Sequence, residues 1–144
     1  MTLAAVHMET TLQTFLPFPN FAVSAMLLDQ KRLGKQRLEC QQILSALRNG
    51  GGWRNHPAVK MWRGHEQALE LYHDACIREW IRRGYVNTMA LRLPPLDSVT
   101  MPDWLGEGGF HASHRSQLLA KDPEWYGRFG WTEVPGLPYV WPMS

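Results

Sequence analysis

The feature that most constrains this chain is a helical rhythm broken by firm punctuation. From Lys35 onward, Cys40, Ile43, Leu44 and Leu47 recur three and four residues apart, which marks one apolar face of a helix. Gly50-Gly51-Gly52 stops that helix. A second stretch starts near Pro57, a favourable first-turn proline, and carries Val59, Trp62, Leu69, Tyr72, Cys76 and Trp80 on one stripe. Arg82-Arg83-Gly84 suits its C-terminus. Upstream, Asn20 can cap a first helical turn near Phe21, and Gly34 weakens the helix at Leu33, which predicts a short helix followed by a longer one. Prolines and glycines predict a long loop over 88–108, and a third, short helix is predicted over Phe110 to Ala120. Phe15-Leu16-Pro17-Phe18-Pro19 and a tail holding Pro135, Pro138 and Pro142 read as extended. No stretch alternates strongly with a period of two. The expected fold is therefore mainly α: one compact domain of about three principal helices with long irregular loops, over residues 14–144, behind an N-terminal extension at 1–13.

Composition agrees with one such domain. The chain has 144 residues, 44% of them hydrophobic and 19% charged, which excludes wholesale disorder. No apolar run approaches the roughly 18–20 residues of a membrane span, and Met1 to Val6 lacks a positive n-region, so a cytoplasmic protein is expected, with no membrane partner. Cys40 and Cys76 sit within apolar helical patterns and read as buried reduced thiols. Between Lys31 and Arg83 there are 11 basic residues against five acidic ones, and the chain holds seven Trp. Such a stretch suits a surface that grips phosphates and stacks on bases, or equally a solvated basic face over a Trp-rich core.

Three constellations can carry chemistry. If Asp29 to Glu39 is helical, Arg32, Lys35, Gln36 and Glu39 share one face. The cations would hold phosphates around a carboxylate that they keep ionised, able to stabilise a developing sugar cation or activate a water. The alternative is an exposed, salt-bridged face with Lys35 and Glu39 as an ordinary i,i+4 pair. Trp53-Arg54-Asn55-His56-Pro57 leads into a helix N-terminus, where Arg54, Asn55 and His56 can add donors for an anion, or can simply form a capping loop over a buried Trp. His111-Ala112-Ser113-His114-Arg115-Ser116, with Lys121 about two turns on, suits a phosphodiester backbone. His111 and His114 lack the Cys or carboxylate partners of a convincing metal site, so no metal or cofactor is expected. His65, within the apolar stripe, reads as a satisfied core histidine. No P-loop, dinucleotide fingerprint or serine elbow occurs.

These residues, taken in order, resemble the phage-type pyrimidine-dimer DNA glycosylase family, often called endonuclease V. The resemblance rests on Leu33-Gly34-Lys35-Gln36-Arg37-Leu38-Glu39, on the helix from Pro57 ending in Arg82-Arg83-Gly84-Tyr85, and on Phe110-His111 through Lys121-Asp122-Pro123-Glu124-Trp125-Tyr126. It covers about residues 27–131. The chain looks closest to a bacterial branch sharing the FLP-x-P opening, KRLGKQR, WRNHPAVKMW, SHRS and the PYVWP tail. The resemblance implies a mainly helical domain that flips a nucleotide and cleaves its glycosidic bond. It implies a nucleophilic α-amine at the mature N-terminus, here Thr2 after loss of Met1, which forms an imine at the sugar C1′. Met8 is a second candidate start. Glu39 matches the family's glutamate, which drives ring opening and elimination. Arg32 stands where the family has a histidine, and His114, Arg115 and Lys121 fall in its phosphate-binding region.

The expected function is a DNA glycosylase with abasic-site lyase activity, excising a damaged or modified pyrimidine from double-stranded DNA, as a monomer. Direct hydrolysis by a Glu39-activated water is the alternative chemistry. A non-catalytic nucleic-acid-binding module and a hydrolase of free nucleosides or nucleotides are the alternative functions.

Overall fold

The computed structural model describes residues 12–142. Among these are six α-helices: α1 (Phe21–Leu27), α2 (Gln30–Asn49), α3 (Pro57–Lys60), α4 (Glu66–Arg82), α5 (Gly108–Lys121) and α6 (Pro123–Tyr126). Single 3₁₀ turns cover Leu96–Ser98 and Gly127–Phe129, and no strand occurs among the described residues. Three helices are long, so the mainly α expectation holds.

Asn20 caps α1 as predicted, its side chain accepting the Val23 N–H at 3.0 Å. The break that follows is not at Gly34 but at Leu28 and Asp29, and Asp29 caps α2. Gly34 lies inside α2 for another reason. The six-membered ring of Trp80, on α4, lies against it, and a Cβ at this position would come within 3.0 Å of that ring. Glycine here sets how closely α2 and α4 approach.

The helix predicted to run unbroken from Pro57 is in fact two. The chain turns over 61–65, with Gly64 at φ +84°, before α4 begins. The apolar stripe is real but divided: Val59 and Trp62 are buried before α4, and Leu69, Tyr72 and Cys76 on it. His65 is consequently no core histidine. It stands half-buried at the cap of α4, with Nδ1 3.3 Å from the Thr100 carbonyl oxygen. Helix α5 extends the predicted third helix slightly at both ends, and the segment before it is the long loop expected. Cys40 and Cys76 are buried free thiols.

Helices α2 and α4 pack together through Leu33, Cys40, Ile43, Leu69 and Tyr72, and α1 lies against α4. Helix α5 reaches this layer across an extended strap, residues 12–18. Leu12, Phe15 and Leu16 are buried there, so the strap's peptide groups need partners, and no neighbouring strand supplies them. Helix side chains do so instead. The Gln36 amide donates to Gln13 O at 2.7 Å and accepts the Phe15 N–H at 2.7 Å. Tyr72 donates its hydroxyl to Phe15 O. His114 Nδ1 accepts the Leu16 N–H at 2.9 Å, while His111 Nδ1 stands 2.8 Å from Leu16 O. From the turn after α3, the Trp62 indole N–H donates to the Thr14 side chain, at Oγ1, over 3.1 Å. Of the extension expected at 1–13, residues 1–11 lie outside the described residues, whereas Leu12 and Gln13 are part of the buried strap.

Candidate active site

Glu39 lies on α2 one turn beyond Gln36, and only 4% of it is exposed. Its Oε2 accepts the Gln13 backbone N–H at 3.1 Å. Lys35 and Lys121, both exposed, are close enough for their charges to favour its ionised form. Burial acts the other way and prevails, pushing the carboxyl up to about 7. The expectation of a permanently ionised carboxylate is therefore corrected: the charges of two ammonium groups do not offset the loss of water around it. Glu39 can hold or release a proton near neutrality, as a general acid or base must.

The cations around it also feel one another. Burial and the charges of Arg32 and Lys35 depress the Lys121 ammonium below its ordinary value, while Glu39 raises it. Arg32 is paired with Asp29 at 3.2 Å. The structure thus gathers Glu39, Arg32, Lys35 and Lys121 from α2 and the end of α5.

Beside this group lies a cavity of about 420 Å³, lined in part by Gln13, Trp53, Asn55, His56, Tyr139 and Trp141. Tyr139, from the tail, is raised to about 12 by burial, and it interacts with the Gln13 side chain, Arg32 and Glu39. Sequence reasoning gave Tyr139 and Trp141 no role beyond an aromatic tail. The PYVWP run was a visible signal, but nothing local in it shows that the tail returns to α2. Of the loop residues expected to meet DNA, Arg54 and Asn55 are exposed. His56 lines the cavity and also caps α3, its Nδ1 accepting the Ala58 N–H at 3.0 Å.

Three expected DNA contacts are occupied within the protein. Gln36 is fully buried, with its amide committed to the strap. His114 is also fully buried, and burial depresses it to about 3, so it remains a neutral acceptor for Leu16. Arg115 makes two hydrogen bonds to Glu133, at 3.1 and 3.0 Å, and a third to Pro17 O at 2.8 Å. Ser113 and Ser116 turn to the tail, accepting the Val140 and Leu137 N–H groups at 3.0 and 2.9 Å. The SHRS run is therefore a clip between strap and tail, not a phosphate site. Thr2 lies outside the described residues.

Comparison with known proteins adds one finding. A family model described as pyrimidine dimer DNA glycosylase matches residues 12–93, more than half of the chain. The match takes in the strap, all of α2 with Glu39, and α4. No curated protein and no solved structure matches the chain.

Proposed function

The chain belongs to the pyrimidine dimer DNA glycosylase family, and from that premise we propose that Glu39 is the carboxylate that works at the reacting deoxyribose. The substrate is duplex DNA carrying a damaged or modified pyrimidine, and the enzyme acts as a monomer with abasic-site lyase activity. One observation carries this reading: a sheltered carboxyl poised near 7, with the charges of two ammonium groups acting on it and a cavity next to it.

Breaking the N-glycosidic bond moves its electron pair to the departing base and leaves positive charge on the sugar. Ionised Glu39 stabilises that charge, or takes a proton from the water that adds at C1′. Lys35, Lys121 and Arg32 supply the positive field that holds the flanking phosphates. In the lyase route an amine replaces water at C1′, forming an imine, and Glu39 moves the protons of ring opening and elimination. The resemblance assigns that amine to a mature Thr2. The nitrogen seen at Glu39, that of Gln13, is a peptide N–H in this chain, so it serves as a donor and not as a nucleophile.

The test combines borohydride trapping on abasic duplex with base release from a duplex containing a thymine dimer. A trapped covalent complex supports the imine route, and base release without trapping supports direct hydrolysis. Glu39→Gln is expected to lose at least about a hundredfold in either activity while binding duplex normally. Wild-type cleavage by Glu39→Gln would remove Glu39 from the mechanism. A protein that binds duplex but releases no base from any lesion would be a binding module.

A further inference from the structure

The lyase route needs an amine beside Glu39, and the backbone nitrogen that meets this carboxyl, that of Gln13, is a peptide N–H. A side chain can supply what the backbone does not. We infer that Lys121 is that amine: its Nζ attacks C1′ of the opened abasic sugar, with Glu39 as its partner in proton transfer. The inference rests on the glycosylase reading and names a nucleophile for its lyase step, where the resemblance points to Thr2.

The placement of Lys121 follows from two anchors on either side of it. Seven residues earlier, on the same face of α5, His114 accepts the Leu16 N–H at 2.9 Å and lies 5.3 Å from the Tyr139 ring. Five residues later, the Tyr126 hydroxyl accepts the Asp29 N–H at 3.0 Å, and Asp29 holds Arg32 at 3.2 Å. Lys121 is thereby set against the face of α2 that carries Arg32, Lys35 and Glu39. The tail is pinned by Ser113, Ser116 and Gln117 instead, and Lys121 stays exposed to a substrate.

Two lysines act on Glu39 through their charges, Lys35 and Lys121. Lys35 stands one turn from Glu39 on the same helix, so both meet a sugar from one side. Lys121 comes from a separate helix, so a sugar can enter between amine and carboxyl. Its charge state suits the task as well. An amine attacks only when neutral, and burial, Arg32 and Lys35 all favour loss of the Lys121 proton. Glu39 opposes that loss while ionised and stops opposing it once protonated, a form it keeps up to about pH 7.

The step balances with these two groups. The neutral Nζ bonds to the aldehyde carbon C1′, and protonated Glu39 gives its proton to the departing hydroxyl, so water and an iminium result. Glu39, now a carboxylate, takes the C2′ proton. The C3′–O bond breaks, and its electron pair leaves with the phosphate. Water then hydrolyses the iminium, which frees the lysine, and one proton passes to solvent. Base release by water, which comes first, uses Lys121 only as a charge.

The test is borohydride trapping of the full-length protein on abasic duplex, followed by chymotrypsin digestion and mass mapping of the sugar adduct. The adduct is expected on Lys121. Lys121→Arg keeps the positive charge but has no amine to attack, and should trap at least about a hundredfold less. An adduct on the N-terminal amine or on Lys35, or no adduct at all, would overturn the inference, as would undiminished trapping by Lys121→Arg. Base release from a thymine-dimer duplex is scored in parallel. Release without an adduct sinks the role of Lys121 and leaves the glycosylase reading intact, and an adduct on Lys121 without any release does the reverse.

Discussion

The strap at 12–18 and the tail at 131–142 are alike in composition, both proline-bearing, aromatic and non-helical, yet the molecule treats them in opposite ways. The strap runs through the interior. Its peptide groups are held by long or aromatic side chains from several helices: Gln36 and Glu39 on α2, Tyr72 on α4, and His111, His114 and Arg115 on α5. The tail's backbone is held by one helix, although its rings reach further, Trp131 to Tyr126 and Phe18 and Trp141 to His56. Ser113, Ser116 and Gln117 of α5 pin it at intervals, the Gly136 N–H reaches Ser116 O at 3.0 Å, and Val134, Leu137 and Val140 remain exposed. Extended, proline-bearing chain has no fixed place in a fold. Its burial is decided by whether other elements present enough polar reach to replace water around its backbone. A strap clamped from several sides makes a floor for Glu39, and a tail whose backbone is tied to α5 makes a wall for the cavity.

The sharpest way to break this contrast is to remove the strap's main clamp. Gln36→Leu keeps the volume but leaves Gln13 O and the Phe15 N–H buried without partners, and it should cost roughly 3–5 kcal/mol in urea unfolding. A loss below about 1 kcal/mol would mean that the strap is no more anchored than the tail.

The floor also carries a pH signature. Folded Glu39 keeps its proton up to about pH 7, whereas an ordinary carboxyl releases it near 4.5. Between these values the folded chain binds more protons than the unfolded one, so stability falls as pH rises through the window. Glu39→Gln has no charge to shelter and still offers an acceptor to Gln13. It should therefore be more stable than wild type by about 3 kcal/mol at pH 8, with no difference at pH 4. Equal stability at both pH values would show that the carboxyl is not sheltered.

Loosening the wall should do less. Ser116→Ala removes one acceptor for the Leu137 N–H and should cost about 1 kcal/mol. Hydrogen exchange should then quicken at Leu137 and Val140 while the Gln13, Phe15 and Leu16 amides keep their protection. Equal acceleration in both segments would erase the distinction between floor and wall. The smallest effect concerns the rim. Lys121 lowers the Glu39 pKa, so Lys121→Met should move the inflection of the pH–rate profile upward by less than about one pH unit, and a downward movement would contradict the arrangement.

The sequence made the helices legible because their signals are local. The caps, the glycine stop at 50–52 and the three-and-four rhythm each act over a single turn or two. The choice of Glu39 as the centre of a cationic group also came from one helix face. The strap could not be read this way, because its partners lie 21 to 98 residues distant along the chain. The same distance explains two misreadings. Glu39 is sheltered by the strap and its surroundings, so its raised pKa has no trace in α2 alone. The SHRS side chains look identical in sequence whether they meet phosphate or a neighbouring backbone. A clue did exist: a segment expected to be extended, with no strand to pair with, must take its hydrogen bonds from side chains.

The tie between Leu16 and His114 has a bearing on biosynthesis. During translation the front of the molecule emerges early, yet the imidazole and guanidinium that fasten it are added about a hundred residues later. A nascent polypeptide therefore carries Glu39 in an unfinished setting, and the shelter around that carboxyl is completed only after α5 has left the ribosome.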